Sequence, residues 1–344
     1  MAVDVLVTGA GGFLGRYIVE RLLARGDRVR ALGRKQNAEF QSLGVEFVRA
    51  DLSDRDSIIN ACRSAELVFH AAGITGLGGR WNDFYQINTL GTRWIIEGCR
   101  RHGIGRLIYT SSPSVIFDGN DQCGVDESTP YPRRWLCHYA HSKALAEQDV
   151  LSANGDNGLL TCVLRPHLIW GPRDRALNPK LLDRARRGWL MQVGDGTNQI
   201  DTTYVENAAD AHIQAANALK PGSAVAGKAY FISQGEPVNC WDWINKQLAI
   251  AGLHPVRRSV SFATAWKLGA CFETVYRLLG LRSDPPMTRF LAAQMARSHY
   301  FSIARAKADF GYSPAVSTAE GMRRMTDWVD STLYKEAIVM GIPK

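Results

Sequence analysis

Short apolar runs alternate with helical patterns through the first half of the chain. The runs are rich in Val, Leu, Ile and Phe, and they predict strands at Val3–Val7, Arg28–Leu32, Val45–Arg49, Leu67–Ala71, Arg106–Thr110 and Leu160–Leu164. Between them, the spacing of apolar residues predicts helices at Gly15–Arg25, Ser57–Arg63, Phe84–Arg101 and Tyr139–Ala153. Strands that alternate with helices in this way form a parallel sheet with helices on both faces. We therefore predict a doubly wound α/β fold.

The regular alternation stops near Pro166. Beyond that residue, proline and glycine punctuate shorter elements, and the carboxyl half is mostly helical. We predict a strand at Ala229–Ser233 and helices at Cys240–Ala251, Phe262–Leu279, Met287–Arg297 and Thr318–Tyr334. The sequence thus predicts a first domain at 1–165, with returning segments near 200–235. A smaller, mainly helical region would comprise 166–199 and 236–344.

The composition excludes several classes of protein. Hydrophobic residues make up 46% and charged residues 22% of the 344 positions, which is enough to bury a core and unlike a disordered chain. Lysine and arginine number 41 against 33 acidic residues, and the basic residues form scattered pairs such as Arg100-Arg101, which favours anionic ligands over nucleic acid. The seven cysteines are odd in number and form no C-x-x-C pair, so we expect neither a disulfide framework nor a zinc or other metal site. A reducing, cytoplasmic compartment fits this pattern best, and the amino terminus shows no secretion signal.

A glycine motif follows the first predicted strand directly. Gly9, Gly12 and Gly15 form a G-x-x-G-x-x-G pattern, and a helical pattern begins at once. Glycine allows a tight turn, a close approach of the backbone to a pyrophosphate, and close packing of the helix on the strand. The amino terminus of the helix then offers free N–H groups to the phosphates. The motif predicts a Rossmann-type dinucleotide-binding domain, with Phe13 and Leu14 beside the cofactor.

The residues after the second strand bear on the choice of cofactor. The acid that would accept the ribose hydroxyls of NAD is missing, and Gly33 is followed by Arg34 and Lys35. Two cations suit the 2′-phosphate of NADP, so we predict NADPH rather than NADH; the alternative is that both are solvated loop charges. Asp51 would accept a hydrogen bond from the adenine amino group. The other predicted cofactor contacts follow later strands: Leu52, Ala71, Ala72, Gly73 and Pro166.

A tyrosine and a lysine lie four residues apart where a helical pattern begins. Tyr139 and Lys143 would share one face of that helix. A free phenol has a pKa of about 10, and an adjacent ammonium would lower it by stabilising the phenolate, which makes a usable general acid. Ser111, Ser112 and Ser114 lie at the carboxyl end of the predicted strand Arg106–Thr110, where α/β sheets bind ligands, so one hydroxyl could bind a substrate carbonyl.

With these motifs in place, the sequence resembles the extended short-chain dehydrogenases/reductases over most of its length. The matching segments are Asn88-Thr89-Leu90-Gly91-Thr92, Tyr109-Thr110-Ser111-Ser112, Leu164-Arg165-Pro166 with Gly171-Pro172, and Asp309-Phe310-Gly311-Tyr312-Ser313-Pro314. The resemblance implies that Ser112 is the catalytic serine, that Tyr139 is the acid/base and that Lys143 orients the nicotinamide ribose. It also implies that Asn88 supports the active-site helix or a proton-relay water.

Within that superfamily, the chain is most similar to the branch of 3β-hydroxysteroid and sterol-4-carboxylate dehydrogenases. It looks closer still to the bacterial 2-alkyl-3-oxoalkanoate reductases of long-chain olefin biosynthesis, through the segments 112–119, 126–132 and 138–147. Val115-Ile116-Phe117 stands where sugar-nucleotide enzymes tend to have V-Y-G, which argues against an epimerase or dehydratase. The resemblance implies NADPH-dependent reduction of a long-chain 2-alkyl-3-ketoalkanoic acid to the 3-hydroxy acid.

Two other functions stay open. Oxidation of a 3β-hydroxysteroid or a sterol carboxylate would use the same residues in reverse, and an NADP-binding sensor would use none of them catalytically. We expect a hydrophobic small-molecule substrate, and Arg80 could meet its carboxylate or simply be solvated. The resemblance also implies a homodimer, and a labile keto acid would favour association with enzymes of the same pathway.

The most apolar long stretch, 262–281, is interrupted by Lys267, Glu273 and Arg277, so we expect no transmembrane segment. Three roles stay open for this amphipathic helix: packing on the core of the protein, a lid over an acyl or sterol-like substrate, and a membrane or partner surface. Its predicted apolar stripe consists of Phe262, Ala265, Trp266, Gly269, Phe272, Tyr276 and Leu279.

Overall fold

The computed structural model describes residues 2–35, 38–174 and 177–331. In chain order its strands are β1 (Asp4–Thr8), β2 (Arg28–Gly33), β3 (Glu46–Arg49), β4 (Leu67–His70), β5 (Arg106–Thr110), β6 (Gln122–Val125), β7 (Leu160–Pro166), β8 (Ile169–Trp170), β9 (Gln192–Val193), β10 (Gln199–Ile200), β11 (Thr203–Tyr204), β12 (Lys228–Ile232), β13 (Val238–Asn239), β14 (Ser259–Val260) and β15 (His299–Phe301). The helices are α1 (Phe13–Ala24), α2 (Ala38–Ser42), α3 (Arg55–Ala61), α4 (Trp81–Phe84), α5 (Gly91–His102), α6 (His138–Ser152), α7 (Leu177–Arg186), α8 (Val205–Ala218), α9 (Cys240–Ile250), α10 (Phe262–Leu278), α11 (Arg289–Ala296), α12 (Ala304–Phe310) and α13 (Thr318–Asp330). A π-helical segment, Tyr85–Leu90, joins α4 to α5, and a 3₁₀ helix, Pro113–Ile116, follows β5.

Seven strands form one sheet in the order β12-β7-β5-β4-β1-β2-β3. Every neighbouring pair in it is parallel. The chain runs outward from β1 to β3, returns to β4 on the other side of β1, and then continues in the opposite direction. The carboxyl ends of β1 and β4 therefore flank the switch point at which open α/β sheets bind ligands. The predicted Rossmann-type, doubly wound sheet is confirmed.

Strand β1 illustrates how the sheet lies inside the core. Val5 and Val7 pack on one face in a cluster that includes Ile18 of α1. Leu6 points to the opposite face and belongs to a cluster with Ile58 of α3. All five side chains are fully buried. Burial on both faces explains why the sequence shows continuous apolar runs here instead of alternation.

A second core lies outside this sheet. It is built around Trp170, Tyr204 and Trp243, and a four-stranded sheet of β13, β10, β15 and β6 lies in the same part of the molecule. In contrast, β12 joins the seven-stranded sheet, while α8 and α12 pack in the first core. The chain thus returns to the first layer twice, and the predicted domain boundaries stay a prediction.

Helices α7, α8 and α12 were not predicted from the sequence. In α8 the cause is visible, because its buried face is made largely of small residues and gives little apolar contrast. The buried alanines of α8 are Ala208, Ala209, Ala211, Ala215 and Ala216. The predicted helix Thr318–Tyr334 is observed as far as Asp330, and positions 332–334 lie outside the described residues.

Helix α10 departs from its predicted stripe. Ala265 and Gly269 of the stripe are buried, whereas Leu279, directly after the carboxyl end of the helix, is 68% exposed. Further apolar residues of α10, Leu268 and Val275, also lie exposed. Among the described residues, no helix combines the length and the apolar character needed to cross a bilayer.

Candidate active site

The glycine turn brings the ends of β1 and β4 into contact. Gly9 has a φ of +70°, and a Cβ atom there would lie 2.7 Å from the backbone nitrogen of Ala72. A Cβ atom on Gly15 would lie 2.1 Å from the carbonyl oxygen of Gly9, so α1 could not pack this close to β1 with any other residue. Gly12 precedes α1 without a capping side chain, which leaves its first amides for an anion. These features fit a dinucleotide, with Phe13 and Leu14 opening the helix.

Small residues continue from β4 beneath this turn. The backbone N–H of Ala72 donates to Thr8 Oγ1 over 3.1 Å, and that of Ala71 donates to the carbonyl of Thr8. A Cβ atom on Gly73 would lie 3.0 Å from Asn88 Oδ1. The predicted residues Ala71, Ala72 and Gly73 therefore lie next to the glycine turn and the active-site Asn88.

The outer edge of the sheet brings Arg34 towards Asp51. β2 pairs with β3, and Arg34 is exposed just beyond the end of β2 together with Lys35. Asp51 Oδ1 accepts hydrogen bonds from the backbone N–H of Ser53 at 2.9 Å and from its hydroxyl at 2.8 Å. These bonds lower the pKa of Asp51, and the nearby charge of Arg34 lowers it further.

Two predicted cofactor contacts are built into the core. Leu52 is buried against α5, where a Cβ atom on Gly91 would lie 2.9 Å from its own Cβ atom. Pro166 ends β7 and pairs with Ile232 of β12. A role in cofactor contact stays a prediction for both residues.

Ser112 and Tyr139 meet at the carboxyl end of β5. Ser112 precedes the 3₁₀ helix, and its Oγ accepts from the backbone N–H of Ser114 at 3.3 Å and from the Ser114 hydroxyl at 3.0 Å. Tyr139 lies in the first turn of α6. Burial raises the pKa of Tyr139 to about 12, although a hydrogen bond with Ser112 opposes that rise. The phenol is therefore protonated at neutral pH.

Lys143 does not lower the pKa of Tyr139 in this structure, which corrects the expectation from their spacing. Its ammonium group donates to the carbonyl oxygen of Thr110 over 2.6 Å and lies 4.1 Å from the ring centre of Tyr109. Burial lowers the pKa of Lys143 to about 7, while the charge of Glu147 partly opposes this shift. A desolvated amine that is half neutral near pH 7 stabilises a phenolate far less than a full positive charge.

A buried carboxylate beneath Lys143 was missed by the sequence analysis. Glu147 lies one turn further along α6 and is fully buried. It accepts from Arg165 Nε at 3.1 Å, from the Tyr131 hydroxyl at 2.7 Å and from the Ser111 hydroxyl. The four-residue spacing of Tyr139, Lys143 and Glu147 was the available signal, because it places all three on one helical face.

A chain of hydrogen bonds connects the glycine turn to the active-site helix through Asn88. The Thr92 hydroxyl donates to the carbonyl of Asn88 at 2.6 Å, so its oxygen is free to accept from Nε2 of His70 at 2.9 Å. Nδ1 of His70 then accepts from the Thr8 hydroxyl at 2.6 Å. Burial lowers the pKa of His70 to about 3, which agrees with a neutral ring. His70 was not singled out from the sequence, because only the pairing of β1 with β4 brings it to Thr8.

Asn88 itself occupies the π-helical segment and is buried. Its amide nitrogen donates to the carbonyl of Ile74 and to Ser142 Oγ, both at 3.0 Å, and its oxygen accepts from the backbone N–H of Ile74 at 2.8 Å. Ser142 donates in turn to the carbonyl of Tyr139 at 2.8 Å. This geometry suits a residue that positions α6, and wider turns of this kind occur frequently at functional sites.

The glycine-rich loop after Gly73 is fixed from the opposite side of the cleft. The backbone N–H groups of Leu77 and Gly78 both donate to Asp284 Oδ1 at 2.8 Å, and Lys180 of α7 pairs with the other oxygen at 2.8 Å. A Cβ atom on Gly78 would lie 2.1 Å from the carbonyl oxygen of Ser283. The segment between α10 and α11 therefore lies against this loop. Arg80, at its end, is exposed.

The two histidines that flank Tyr139 belong to an aromatic stack. The ring of His141 lies 4.3 Å from Trp135 and 4.6 Å from Trp81, stacked between the two. His138 contacts the edge of Trp81 at 5.9 Å. These contacts anchor α4 to the first turn of α6.

The sequence of this chain matches a known family over most of its length. The 3-beta hydroxysteroid dehydrogenase/isomerase family matches residues 6–262. The chain belongs to this family. Its identification as an oxidoreductase of the short-chain dehydrogenase/reductase type is thereby confirmed.

Curated relatives within the family divide into two groups. A 2-alkyl-3-oxoalkanoate reductase of Stenotrophomonas maltophilia is 47% identical over 93% of this chain and 98% of its own length. A protein of the same name from Shewanella oneidensis is 45% identical over 93% of this chain and 84% of its own length. The decarboxylating sterol-4-alpha-carboxylate 3-dehydrogenase of Mus musculus is 34% identical over 92% of this chain and 88% of its own length.

Solved structures share the whole architecture. The crystal structure of gox2253 superposes with a TM-score of 0.76 at 26% identity, over 95% of this chain and 97% of the other. The UDP-glucose 4-epimerase of Thermus thermophilus in complex with NAD gives a TM-score of 0.72 at 26% identity, over 96% of this chain and 99% of the other.

Proposed function

We propose that this protein reduces the ketone of a long-chain 2-alkyl-3-oxoalkanoic acid to the 3-hydroxy acid with NADPH, as a step towards hydrocarbons. The observation that carries the proposal is the contact between Ser112 and Tyr139 at the carboxyl end of β5, on the same edge of the sheet as the glycine turn after β1. The substrate is supported by the identity of 47% to a 2-alkyl-3-oxoalkanoate reductase over nearly the full length of both chains.

The protonation states suit reduction. NADPH, when bound, would supply a hydride to the ketone carbon, and negative charge would develop on the ketone oxygen. Ser112 donates a hydrogen bond to that oxygen, and Tyr139 transfers its phenolic proton to it. The raised pKa of Tyr139 keeps this proton in place at neutral pH. Lys143, whose ammonium group donates to the carbonyl of Thr110, would orient the ribose and stabilise the phenolate after proton transfer.

The preference for NADPH rests on the end of β2. No acid follows Gly33, and the exposed side chains of Arg34 and Lys35 are available for a 2′-phosphate. Asp51 has one carboxylate oxygen engaged by Ser53, which leaves the other for the adenine amino group. A cytoplasmic location, a homodimer and association with enzymes of the same pathway stay predictions.

A second candidate is the oxidation of a sterol carboxylate. The names of both groups of relatives describe the same reacting unit, since the carboxylate lies on the carbon next to the carbon that is reduced or oxidised. The same Ser112, Tyr139 and Lys143 would serve both directions. Higher identity to the reductases and the absence of an acid after β2 favour keto-acid reduction by NADPH.

Consumption of NADPH by the purified protein tests the proposal. We expect fast oxidation of NADPH with a synthetic long-chain 2-alkyl-3-keto acid, and slower or no turnover with a sterol ketone or with NADH. The variant Tyr139→Phe should lose at least about a hundredfold in turnover while it still binds NADPH, because only the transferred proton is removed.

Tyr300→Phe is the matched control, since Tyr300 lies on β15 in the small sheet. Full activity of Tyr139→Phe would refute the mechanism. Turnover with the sterol alone would move the protein to the second candidate, and tight NADPH binding without any turnover would identify a sensor.

A further inference from the structure

The outward face of α10 carries large apolar side chains that nothing among the described residues covers. Leu268 is 43% exposed, Val275 41% and Leu278 80%. Their spacing of seven and three residues places them on one helical face, whereas Ala265 and Gly269 of the same helix are buried. Leu279 and Leu281 extend the exposed apolar area beyond the end of the helix. We call these five leucine and valine residues, with the cations described next, the α10 surface.

Positive charge borders this apolar face. Lys267, Arg277 and Arg282 are all exposed, and the only acidic residue in the sequence 262–283 is Glu273. Glu273 does not offset these charges at the surface, because it turns inward and pairs with Arg289 at 2.7 Å. Asp284, the next acid in the chain, is held by Lys180 and the glycine-rich loop. The outward charge of this surface is therefore positive.

The α10 surface also adjoins the entrance to the catalytic cleft. The charge of Arg277 contributes to the lowered pKa of His138, and that of Glu273 acts on Cys137, so α10 lies close to the start of α6. Directly beyond the α10 surface, Asp284 holds the glycine-rich loop. The α10 surface thus lies beside a segment that contacts the glycine-rich loop.

We propose that the α10 surface docks the protein onto the surface of an anionic phospholipid membrane. A helix with an apolar face and a cationic border lies in the interface between headgroups and acyl chains, and anionic lipids add electrostatic attraction. This inference rests on the proposed function in one respect, since a long-chain keto acid partitions into membranes and would reach the cleft from there.

Flotation of the purified full-length protein with vesicles, without substrate, tests the docking. We expect the protein to bind vesicles that contain phosphatidylglycerol mixed with phosphatidylcholine, to bind pure phosphatidylcholine more weakly, and to be released by high salt. The double variant Leu278→Glu/Leu279→Glu should bind these vesicles at least about tenfold more weakly than the wild type, because two apolar side chains become anionic. The variant Arg277→Gln/Arg282→Gln should lose the preference for anionic lipid.

The control is Leu43→Glu, which adds a charge at another exposed leucine in the turn before β3. Equal binding of the Leu278→Glu/Leu279→Glu variant and the wild type would overturn the proposal, as would an absence of binding to any vesicle. If the wild type is a dimer and the Leu278→Glu/Leu279→Glu variant is a monomer, the membrane proposal is also overturned, because the α10 surface then binds a second copy of the chain. Because no turnover is measured, these outcomes are independent of the proposed reaction. The far-UV circular dichroism spectrum of the double variant should match that of the wild type, which shows that the variant is folded.

Discussion

Three side chains on one face of α6 occupy very different electrostatic environments. Tyr139 reaches Ser112, Lys143 is enclosed between the Thr110 carbonyl and the Tyr109 ring, and Glu147 accepts several hydrogen bonds below them. Burial raises the pKa of Tyr139 to about 12 and lowers that of Lys143 to about 7. Each shift favours the neutral form, because a charged group loses its hydration when it is buried.

The lowered pKa of Lys143 has a consequence for stability. In the unfolded chain Lys143 has its ordinary pKa of 10.5, so between about 7 and 10.5 the unfolded state binds more protons than the folded state. The free energy of unfolding should therefore increase with pH across this range, relative to a variant without the amine. We expect Lys143→Met to be more stable than the wild type at pH 7 and below, and the difference to narrow at higher pH.

Urea unfolding at a series of pH values measures this effect. Lys246→Met, at an exposed position on α9, is the control and should follow the wild type. Parallel curves for Lys143→Met and the wild type would contradict the assigned environment of the amine.

At the scale of elements, an ion pair between Glu147 and Arg165 joins α6 to β7. Both side chains are almost completely buried, and Arg165 Nη1 has no hydrogen-bond partner among the described residues. Removal of one charge from such a pair leaves the other uncompensated, which costs more than the pair itself contributes.

We therefore expect Arg165→Met to lower the free energy of unfolding by about 3 to 5 kcal/mol. The double variant Arg165→Met/Glu147→Gln should recover part of that loss, because no buried charge is left without a partner. Chemical denaturation measures both. Arg100→Met breaks an exposed pair with Asp156 and should cost at most about 1 kcal/mol. A loss of similar size in the double and the single variant would rule out the electrostatic explanation.

The features that could be predicted from the sequence are those that lie within one or two neighbouring elements. The glycine turn and the Tyr139–Lys143 spacing are local, so their geometry follows from one strand and one helix. His70, Asp284 and Arg165 escaped prediction because each acts on a partner that is distant in sequence and is brought close only by strand order or by packing of the small region. Lys143 lies on the predicted face of the helix, but the expected lowering of the pKa of Tyr139 is not observed. The spacing of residues does not show how deeply an amine is buried.

On the scale of the whole molecule, cofactor binding should be linked to stability. The glycine turn, the loop after β4 and the end of β2 come together only in the folded sheet, so a dinucleotide binds the native state and not the unfolded chain. A ligand at about a hundred times its Kd stabilises the native state by about 2.7 kcal/mol. For a chain of this size, that corresponds to an increase in Tm of about 4 °C.

We expect NADPH to raise the Tm more than NADH at equal concentration, because only NADPH offers a phosphate to Arg34 and Lys35. Replacement of both cations by serine should abolish that difference while the smaller shift with NADH persists. Differential scanning fluorimetry measures these shifts, with the exposed Arg257→Ser as a control. Equal shifts with both cofactors in the wild type would contradict the assignment of NADPH.

The π-helical segment allows the continuous helix formed by α4 and α5 to contact both α6 and the sheet, which lie in different directions. Successive residues of an α-helix are rotated by about 100° around its axis. The wider turn at Tyr85–Leu90 therefore rotates the side chains of α5 around this axis relative to those of α4. Before the π-helical segment, Trp81 contacts the start of α6. After the segment, Ile95 and Ile96 pack towards the sheet. Asn88 lies within the segment itself. Deletion of a single residue in this segment would rotate α4 relative to α5. Both the contact of α5 with the sheet and the contact of α4 with α6 would then be disturbed. No single side-chain replacement in the segment would disturb both contacts.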